Sequence, residues 1–170
     1  LLVTLNAYSP DMGVHVKDAL TITQVYNKVS PSVVGIYVYN SESGIASTAT
    51  GVIYSKDGYI ITNDHIYDGV TAAKFKIYTH DNKMYSAEYV AGDTRSDLAV
   101  LKISNVKNAK ITPAELGNSN EIVVGESVVA IGRPNGATNS SIASEGIVSA
   151  VSTRVSTTSS YTSSLIQTDS

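Results

Sequence analysis

The sequence contains no cysteine, which excludes disulfide bonds and thiolate chemistry from the protein. Charge is also scarce: charged residues make up 16% of the 170 residues, with 12 basic against 15 acidic side chains and a net charge of −3. Neither sign forms a long run, so the chain lacks the electrostatic pattern of a protein that binds nucleic acid or an anionic membrane. No apolar stretch approaches the ~20 residues of a membrane-spanning helix.

The chain is instead rich in serine, threonine, valine, isoleucine and tyrosine, with 12 glycines as turn formers. This composition favours an all-β protein. Short apolar or alternating runs predict six strands, over 33–39, 51–55, 59–63, 74–79, 84–92 and 98–103. Turn-forming residues in "KDG" and "HDNK" join neighbouring runs as hairpins. Six short strands with tight turns predict a small closed barrel, because closure removes exposed strand edges.

The chain on either side of this barrel is organised differently. A helical pattern in "DALTITQVYNKVSP" predicts a short helix that Pro31 ends, and the polar residues 104–122 predict a linker. Three further strands are predicted over 127–132, 141–151 and 164–168, with a mobile polar loop over 152–164. The predicted units are an N-terminal arm with the helix, a first barrel, and a linker with an incomplete second barrel: 1–30, 31–110 and 111–170.

The incomplete second barrel has a structural consequence. Three strands leave open edges and one uncovered apolar face. We therefore expect the second unit to be poorly ordered, or to pair by strand exchange with a neighbouring molecule.

Two side chains with complementary chemistry lie where predicted strands end. His65 directly follows the third strand, and Asp97 directly precedes the almost uninterrupted apolar run "LAVLKI". A carboxylate at the mouth of a buried strand needs hydrogen-bond donors to stay ionised, and an imidazole N–H is a suitable donor. An aspartate that fixes the tautomer of a histidine, leaving the other ring nitrogen as a base, forms two-thirds of a hydrolytic triad.

The spacing alone leaves other interpretations open. His65 and Asp97 could be a helix cap and a turn former at two unrelated strand ends. Asp93 competes with Asp97 for the carboxylate role, although its polar neighbours favour a turn cap. Asp64, His65 and Asp68 could be imagined as a metal site, but a cap with solvated charges is the commoner reading of such a turn, and we predict no metal. His15 and His80 are expected to be solvated and without a role.

Five segments follow one another along the chain in an order that carries further information. They are "TATGVIYSKDGYIITNDHI", "GDTRSDLAVLKI", "LGNSNEIVVGESVVAIGRPNG", "EGIVSAV" and "LIQTD". Together they resemble the HtrA (Deg) family of trypsin-like serine proteases, and the resemblance covers residues 27–169. It implies a trypsin-like double β-barrel whose first barrel is complete and whose second is truncated. By the same resemblance, residues 40–50 would be a loop, and residues 152–164 would match a loop that senses an activating signal.

The resemblance also implies roles and partners. His65 in "TNDHI" matches the general base, and Asp97 in "SDLAVLKI" matches the triad carboxylate. The implied activity is endoproteolytic cleavage of misfolded or exposed segments of exported proteins, without metal or cofactor. Relatives assemble as trimers, so residues 1–30 are the expected region of self-association. A bacterial protein that acts outside the cytoplasm, membrane-anchored or secreted, is expected, and the chain start suggests that any signal or anchor has been removed.

Departures from the family pattern qualify this expectation. In the family, "QTD" is followed shortly by a Gly-Asn-Ser-Gly-Gly motif that carries the nucleophile, whereas here only Ser170 follows, at a position upstream of that serine. The chain on its own is therefore expected to be inactive. The alternatives are a non-catalytic, protease-like module used for binding or assembly, and a fragment completed by another chain. Arg133 in "GRPNG" also stands where relatives tend to have asparagine.

Overall fold

The computed structural model describes most of the chain after the N-terminal arm. The described residues are 20–40, 44–68, 70, 72–133, 141–156 and 161–170. Residues 1–19 of the predicted N-terminal unit, with His15, lie outside them. Within these ranges, no helix has the length and apolar character needed to cross a membrane.

A short helix precedes the first strand. Helix α1 spans Ile22–Val29 and begins with a capping box, in which the Thr21 hydroxyl accepts from the Gln24 backbone and the Gln24 side chain accepts from the Thr21 backbone. Pro31 lies in the 3₁₀ turn that follows, where α-helix cannot continue. The buried face of the helix contributes to a small core cluster of Val25, Val29, Val33, Val129 and Ile131. The helix therefore fastens the first strand to a strand of the second sheet.

Six antiparallel strands close into the predicted barrel, in the order β1-β2-β3-β6-β5-β4. Their bounds are β1 Val33–Asn40, β2 Gly44–Ile53, β3 Tyr59–Thr62, β4 Lys74–Tyr78, β5 Met84–Asp93 and β6 Leu98–Ile103. The interior is filled by β-branched and other apolar side chains, among them Val34, Ile36, Ile53, Ile60, Ile77 and Leu101, all fully buried. Burial of these residues supplies the hydrophobic stabilisation of the barrel.

The structure corrects the expectation that residues 40–50 form a loop. Strand β1 continues to Asn40, and strand β2 already begins at Gly44 and pairs with β1 along its length. The residues of β2 from Gly44 to Thr50 are exposed or half-buried, so their polarity follows from lying on the outer wall of the barrel. Threonine and serine are compatible with a solvent-facing strand, and the loop that the family resemblance implied is wrong for these residues.

The second unit is an open antiparallel sheet of β7 Ser127–Gly132, β8 Ile142–Ser156 and β9 Tyr161–Thr168. The prediction of a mobile loop over 152–164 is wrong in part, because β8 continues through 156 and β9 begins at 161. Main-chain pairing between β8 and β9 extends into this serine- and threonine-rich segment regardless of its polarity. Three apolar residues of strand β8 are exposed to solvent: Ile142 by 60% of its surface, Ile147 by 43% and Val151 by 42%. Pairing of this sheet with a neighbouring molecule remains a prediction.

One buried cation joins the two units. Arg133, directly after β7, is only 1% exposed. Its guanidinium donates to the main-chain oxygens of Thr79 at 2.8 Å and Tyr78 at 3.3 Å, and its backbone N–H donates to the Thr50 hydroxyl at 2.8 Å. Burial lowers the pKa of Arg133, and the phenol of Tyr26 opposes this shift. The side chain thus anchors the second sheet on the β4–β5 turn of the barrel.

We expect Arg133→Met to lower the free energy of unfolding by about 2–4 kcal/mol, because it removes the donors of buried carbonyls while keeping most of the side-chain volume. Urea denaturation measures this. Arg95→Met is the matched control: its side chain is 89% exposed beside Asp93, and the change should stay within about 0.5 kcal/mol. Equal stabilities for the two variants would show that the Arg133 contacts do not fasten the sheet to the barrel.

Candidate active site

Strand pairing brings His65 and Asp97 to one place. His65 lies in the 3₁₀ turn Asp64–Tyr67 that follows β3, and Asp97 lies directly before β6. Strands β3 and β6 are antiparallel neighbours, with Thr62 opposite Ala99. The end of one strand therefore lies beside the start of the other, and the two side chains meet across this edge.

The two predicted residues are hydrogen bonded to each other. Nδ1 of His65 lies 2.8 Å from Oδ2 and 3.0 Å from Oδ1 of Asp97. The imidazole is 66% exposed and the carboxylate 25% exposed. Among the described residues, Asp97 is the one hydrogen-bond partner of the ring, so Nε2 is left without a hydrogen bond to them.

The carboxylate of Asp97 is held by the turn as well as by the imidazole. The backbone N–H groups of Asp64 and His65 both donate to Oδ1 at 3.0 Å, and the Asn63 amide donates to Oδ2 at 2.9 Å. The backbone of Asp97 has a φ of 54°, a left-handed conformation that costs a non-glycine residue ~1 kcal/mol or more. The Asp64 N–H and the Asn63 amide also donate to the Asp97 carbonyl, at 3.2 and 3.3 Å, which fixes this conformation.

These contacts decide the charge of Asp97. Burial on its own would raise the pKa of Asp97, but the hydrogen bonds from the His65 backbone, the imidazole and the Asn63 amide outweigh burial and lower it. An ionised Asp97 accepts a hydrogen bond from Nδ1–H of His65. The neutral imidazole then carries its lone pair on Nε2, as a general base requires.

Asp64 is the feature of the site that the sequence did not reveal. It was expected to be a cap or a solvated charge, yet it is only 5% exposed and does not cap the turn. Its Oδ1 accepts from the hydroxyls of Tyr67 at 3.0 Å and Tyr89 at 3.4 Å. A Cβ at Gly92 would overlap this carboxylate oxygen. The one sequence signal was a tyrosine three residues after Asp64, the spacing at which side chains share a face of a turn.

The family model for the trypsin-like peptidase domain matches residues 49–170. The chain belongs to the trypsin-like peptidase family. The serine protease Do-like HtrA of Bacillus subtilis (strain 168) is 36% identical over 174 residues, covering 90% of this chain and 38% of that protein. The protein of the same name from Lactobacillus helveticus is 32% identical over 183 residues, covering 90% of this chain and 43% of that protein.

Two further comparisons agree within this family of serine proteases. A probable periplasmic serine endoprotease, DegP-like, from Pseudomonas savastanoi pv. phaseolicola (strain 1448A / Race 6) is 43% identical over 104 residues, or 61% of this chain and 20% of that protein. The crystal structure of Deg5 superposes with a TM-score of 0.73 at 30% identity, over 86% of this chain and 71% of that one. These similarities confirm the HtrA (Deg) resemblance and the trypsin-like fold. The chain spans about two-fifths of the length of the HtrA relatives.

Among the described residues, the side chains of the other candidates do not hydrogen bond to His65 or Asp97, although the backbone N–H of Asp68 donates to the His65 carbonyl at 3.1 Å. Asp93 accepts from the Arg95 backbone N–H at 3.1 Å and so caps the turn before β6, as its polar neighbours suggested. Asp68 and His80 are exposed. The part of the chain that the structure describes contains no group of three or more histidine, cysteine, aspartate or glutamate residues arranged to hold a metal ion.

The lowered pKa of Asp97 predicts how stability depends on pH. Folding favours the ionised carboxylate, so its contribution is present above the unfolded-state pKa of about 3.9 and is lost as pH falls through the folded-state pKa. The gap in unfolding free energy between the wild type and Asp97→Asn should therefore be full above about pH 5 and shrink as the solution is acidified. Urea denaturation at a series of pH values measures it.

A second variant separates the contribution of the imidazole from that of the main-chain donors to Asp97. His65→Ala removes the imidazole but keeps the main-chain donors to Asp97, so it should lose only part of this pH dependence. Parallel curves for wild type and Asp97→Asn down to about pH 2 would show that folding does not favour the ionised form.

Proposed function

We propose that this chain supplies the general base and the orienting carboxylate of an HtrA-like serine endopeptidase. The observation that carries the proposal is the hydrogen bond from Nδ1 of His65 to Asp97, which leaves Nε2 available on an imidazole that is 66% exposed. Imidazole in this tautomer can accept a proton at Nε2, and the ionised aspartate stabilises the imidazolium that results. Family membership supports the reaction class.

The reaction we propose is acyl transfer. A serine hydroxyl gives its proton to Nε2 of His65 while its oxygen bonds to the scissile carbonyl carbon. The imidazolium then gives that proton to the leaving amine nitrogen as the C–N bond breaks, which leaves an acyl-enzyme. Water, deprotonated by the same nitrogen, hydrolyses the ester and regenerates the serine. Neither metal nor cofactor takes part in this scheme.

We propose further that the nucleophile is a serine beyond Ser170, so that residues 1–170 on their own do not hydrolyse peptides. Two observations support this. No serine hydroxyl among the described residues is hydrogen bonded to the imidazole of His65, and the HtrA relatives are more than twice as long as their match to this chain. Without a nucleophile and oxyanion-hole donors, each donor worth about 10²–10³ in rate, the pair has no reaction to accelerate.

The same resemblance suggests the biological setting. We propose that the whole protein cleaves unfolded or exposed polypeptides and acts outside the cytoplasm, as the word periplasmic in the names of DegP-like relatives suggests. Anchoring or secretion, and self-association as a trimer through residues 1–30, remain predictions. The structure describes only residues 20–30 of that region.

The test compares the full-length protein with residues 1–170. The full-length protein should hydrolyse an unfolded polypeptide and be labelled by a fluorophosphonate probe, whereas residues 1–170 should do neither. His65→Ala should abolish hydrolysis, and Asp97→Asn should lower kcat by about 10⁴-fold. Asp68→Asn, an exposed carboxylate at the end of the same turn, is the control and should leave kcat unchanged.

Three outcomes would contradict the proposal. Labelling of residues 1–170 would show that the nucleophile lies within them. Full activity of His65→Ala would remove the histidine from the chemistry. A folded full-length protein that neither hydrolyses nor labels would favour the non-catalytic binding module.

A further inference from the structure

Two sets of hydrogen bonds hold the His65 turn, and only one set is explained by the Asp97 interaction. The other set ends on the buried carboxylate of Asp64, with the hydroxyls of Tyr67 and Tyr89 on its Oδ1. We propose that these three residues form a positioning cluster that sets the place of the His65 imidazole relative to Asp97. This inference rests on the proposed function, because it assigns the cluster a role in the same site.

The first step concerns the backbone between the two carboxylates. The N–H groups of Asp64 and His65 converge on one oxygen of Asp97, each at 3.0 Å. Both donors belong to consecutive peptide groups of one short turn. A rotation of that turn would therefore lengthen both bonds together and move the imidazole away from the same carboxylate. The position of the turn thus decides whether Asp97 can hold His65.

The second step concerns the contacts of the Asp64 side chain. Its carboxylate accepts hydrogen bonds from Tyr67 in the same turn and from Tyr89 on β5. Strand β5 has a register irregularity between Tyr89 and Ala91, opposite β6. Such bulges redirect side chains and recur next to active sites. The rings of Tyr67 and Tyr89 also meet edge to face, with centroids 5.0 Å apart.

The third step concerns the space for the carboxylate. Gly92 lies against Asp64, and a Cβ there would overlap both Oδ1 of Asp64 and the Tyr89 hydroxyl. The hydrogen bond with Tyr89, burial and the hydrogen bond with Asp64 raise the pKa of Tyr67, so its hydroxyl stays protonated and remains a donor. Bare backbone at Gly92 and two hydroxyl donors therefore form a niche fitted to a carboxylate.

A hydrogen bond after His65 holds the other end of the turn, so that the turn is fixed in orientation as well as packed. The Ser47 hydroxyl on β2 donates to the Ile66 carbonyl at 2.5 Å, which fixes the end of the turn after His65. Asp64 fixes the end before it. With both ends held, the turn has one orientation, and His65 between them presents Nδ1 to Asp97.

The experiment uses the full-length protein with Asp64→Leu, which keeps the branching at Cγ, adds some volume and removes both acceptor oxygens. Loss of the anchor should lower kcat by about 10- to 10²-fold with KM changed less than about twofold, because the chemistry and not substrate binding depends on the imidazole position. Asp64→Asn keeps an acceptor oxygen and should recover most of kcat. The double variant Tyr67→Phe with Tyr89→Phe should resemble Asp64→Leu.

A spectroscopic measurement reads the position directly. In proteins labelled with ¹⁵N-histidine, the proton shared by Nδ1 of His65 and Asp97 should give a downfield signal in the wild type and in Asp64→Asn. In Asp64→Leu and in the tyrosine double variant, that signal should be lost by exchange with water. This readout does not depend on turnover, so a protein in which His65 proves non-catalytic still tests the positioning.

The controls match each change. Asp68 lies at the end of the same turn and is exposed, so Asp68→Leu should keep both kcat and the Nδ1 proton signal. Gly92→Ala should behave like Asp64→Leu, whereas Gly117→Ala, with nothing within 4 Å of an added Cβ, should be neutral.

Two results would overturn the inference. The first is an Asp64→Leu variant that folds with wild-type kcat and an intact Nδ1 proton signal. The second is an unaltered signal in the tyrosine double variant and in Gly92→Ala, which would reduce the cluster to packing. Loss of activity in Asp68→Leu to the same degree as in Asp64→Leu would also count against it. Hydrolysis that survives His65→Ala would instead refute the proposed function and leave the positioning result standing.

Discussion

The hydrogen bonds that end on the carboxylate of Asp97 constrain the site more than any other interaction. They come from three consecutive residues, Asn63, Asp64 and His65, so one side chain organises the whole connection that follows β3. The donors offset the cost of burying the charge and the strain of a left-handed backbone at Asp97. The β3–β6 pairing of the barrel brings these donors to Asp97. The proposed reaction needs the His65 tautomer with its proton on Nδ1, and the hydrogen bond to Asp97 fixes that tautomer.

Hydrogen bonds to one residue of β2 connect the second sheet to the same site. Arg133 donates through its backbone to Thr50 on β2, and the Thr62 hydroxyl donates to the Thr50 carbonyl at 2.9 Å. Thr62 is fully buried and directly precedes Asn63. A single residue of β2 thus contacts both the start of the His65 connection and the residue that fastens the second sheet.

The fold and the central pair were accessible from the sequence for physical reasons. Apolar runs such as 98–103 coincide with strands because a buried strand needs them, and adjacent strand ends brought His65 to Asp97. The strand segment 44–50 was missed because the family resemblance implied a loop there, and 152–156 was missed because its serine and threonine content has the polarity of a loop. Asp64 was missed because its environment comes from Tyr89 and Gly92, distant in sequence and brought close by a strand irregularity.

Asp64 and Asp97 show how one residue type is held by two different sets of donors around a single turn. Asp97 receives main-chain N–H groups and an imidazole, and the main-chain donors cannot leave. Asp64 receives two phenol hydroxyls on one oxygen, one of them at 3.4 Å, and neither donor carries a charge. Fixed donors suit a carboxylate that must stay ionised while its partner gains and loses a proton. Phenol donors on side chains of the turn and of β5 suit a carboxylate whose proposed contribution is its place in the structure, which is why we propose the orienting role of the triad carboxylate for Asp97 and the positioning of the turn for Asp64.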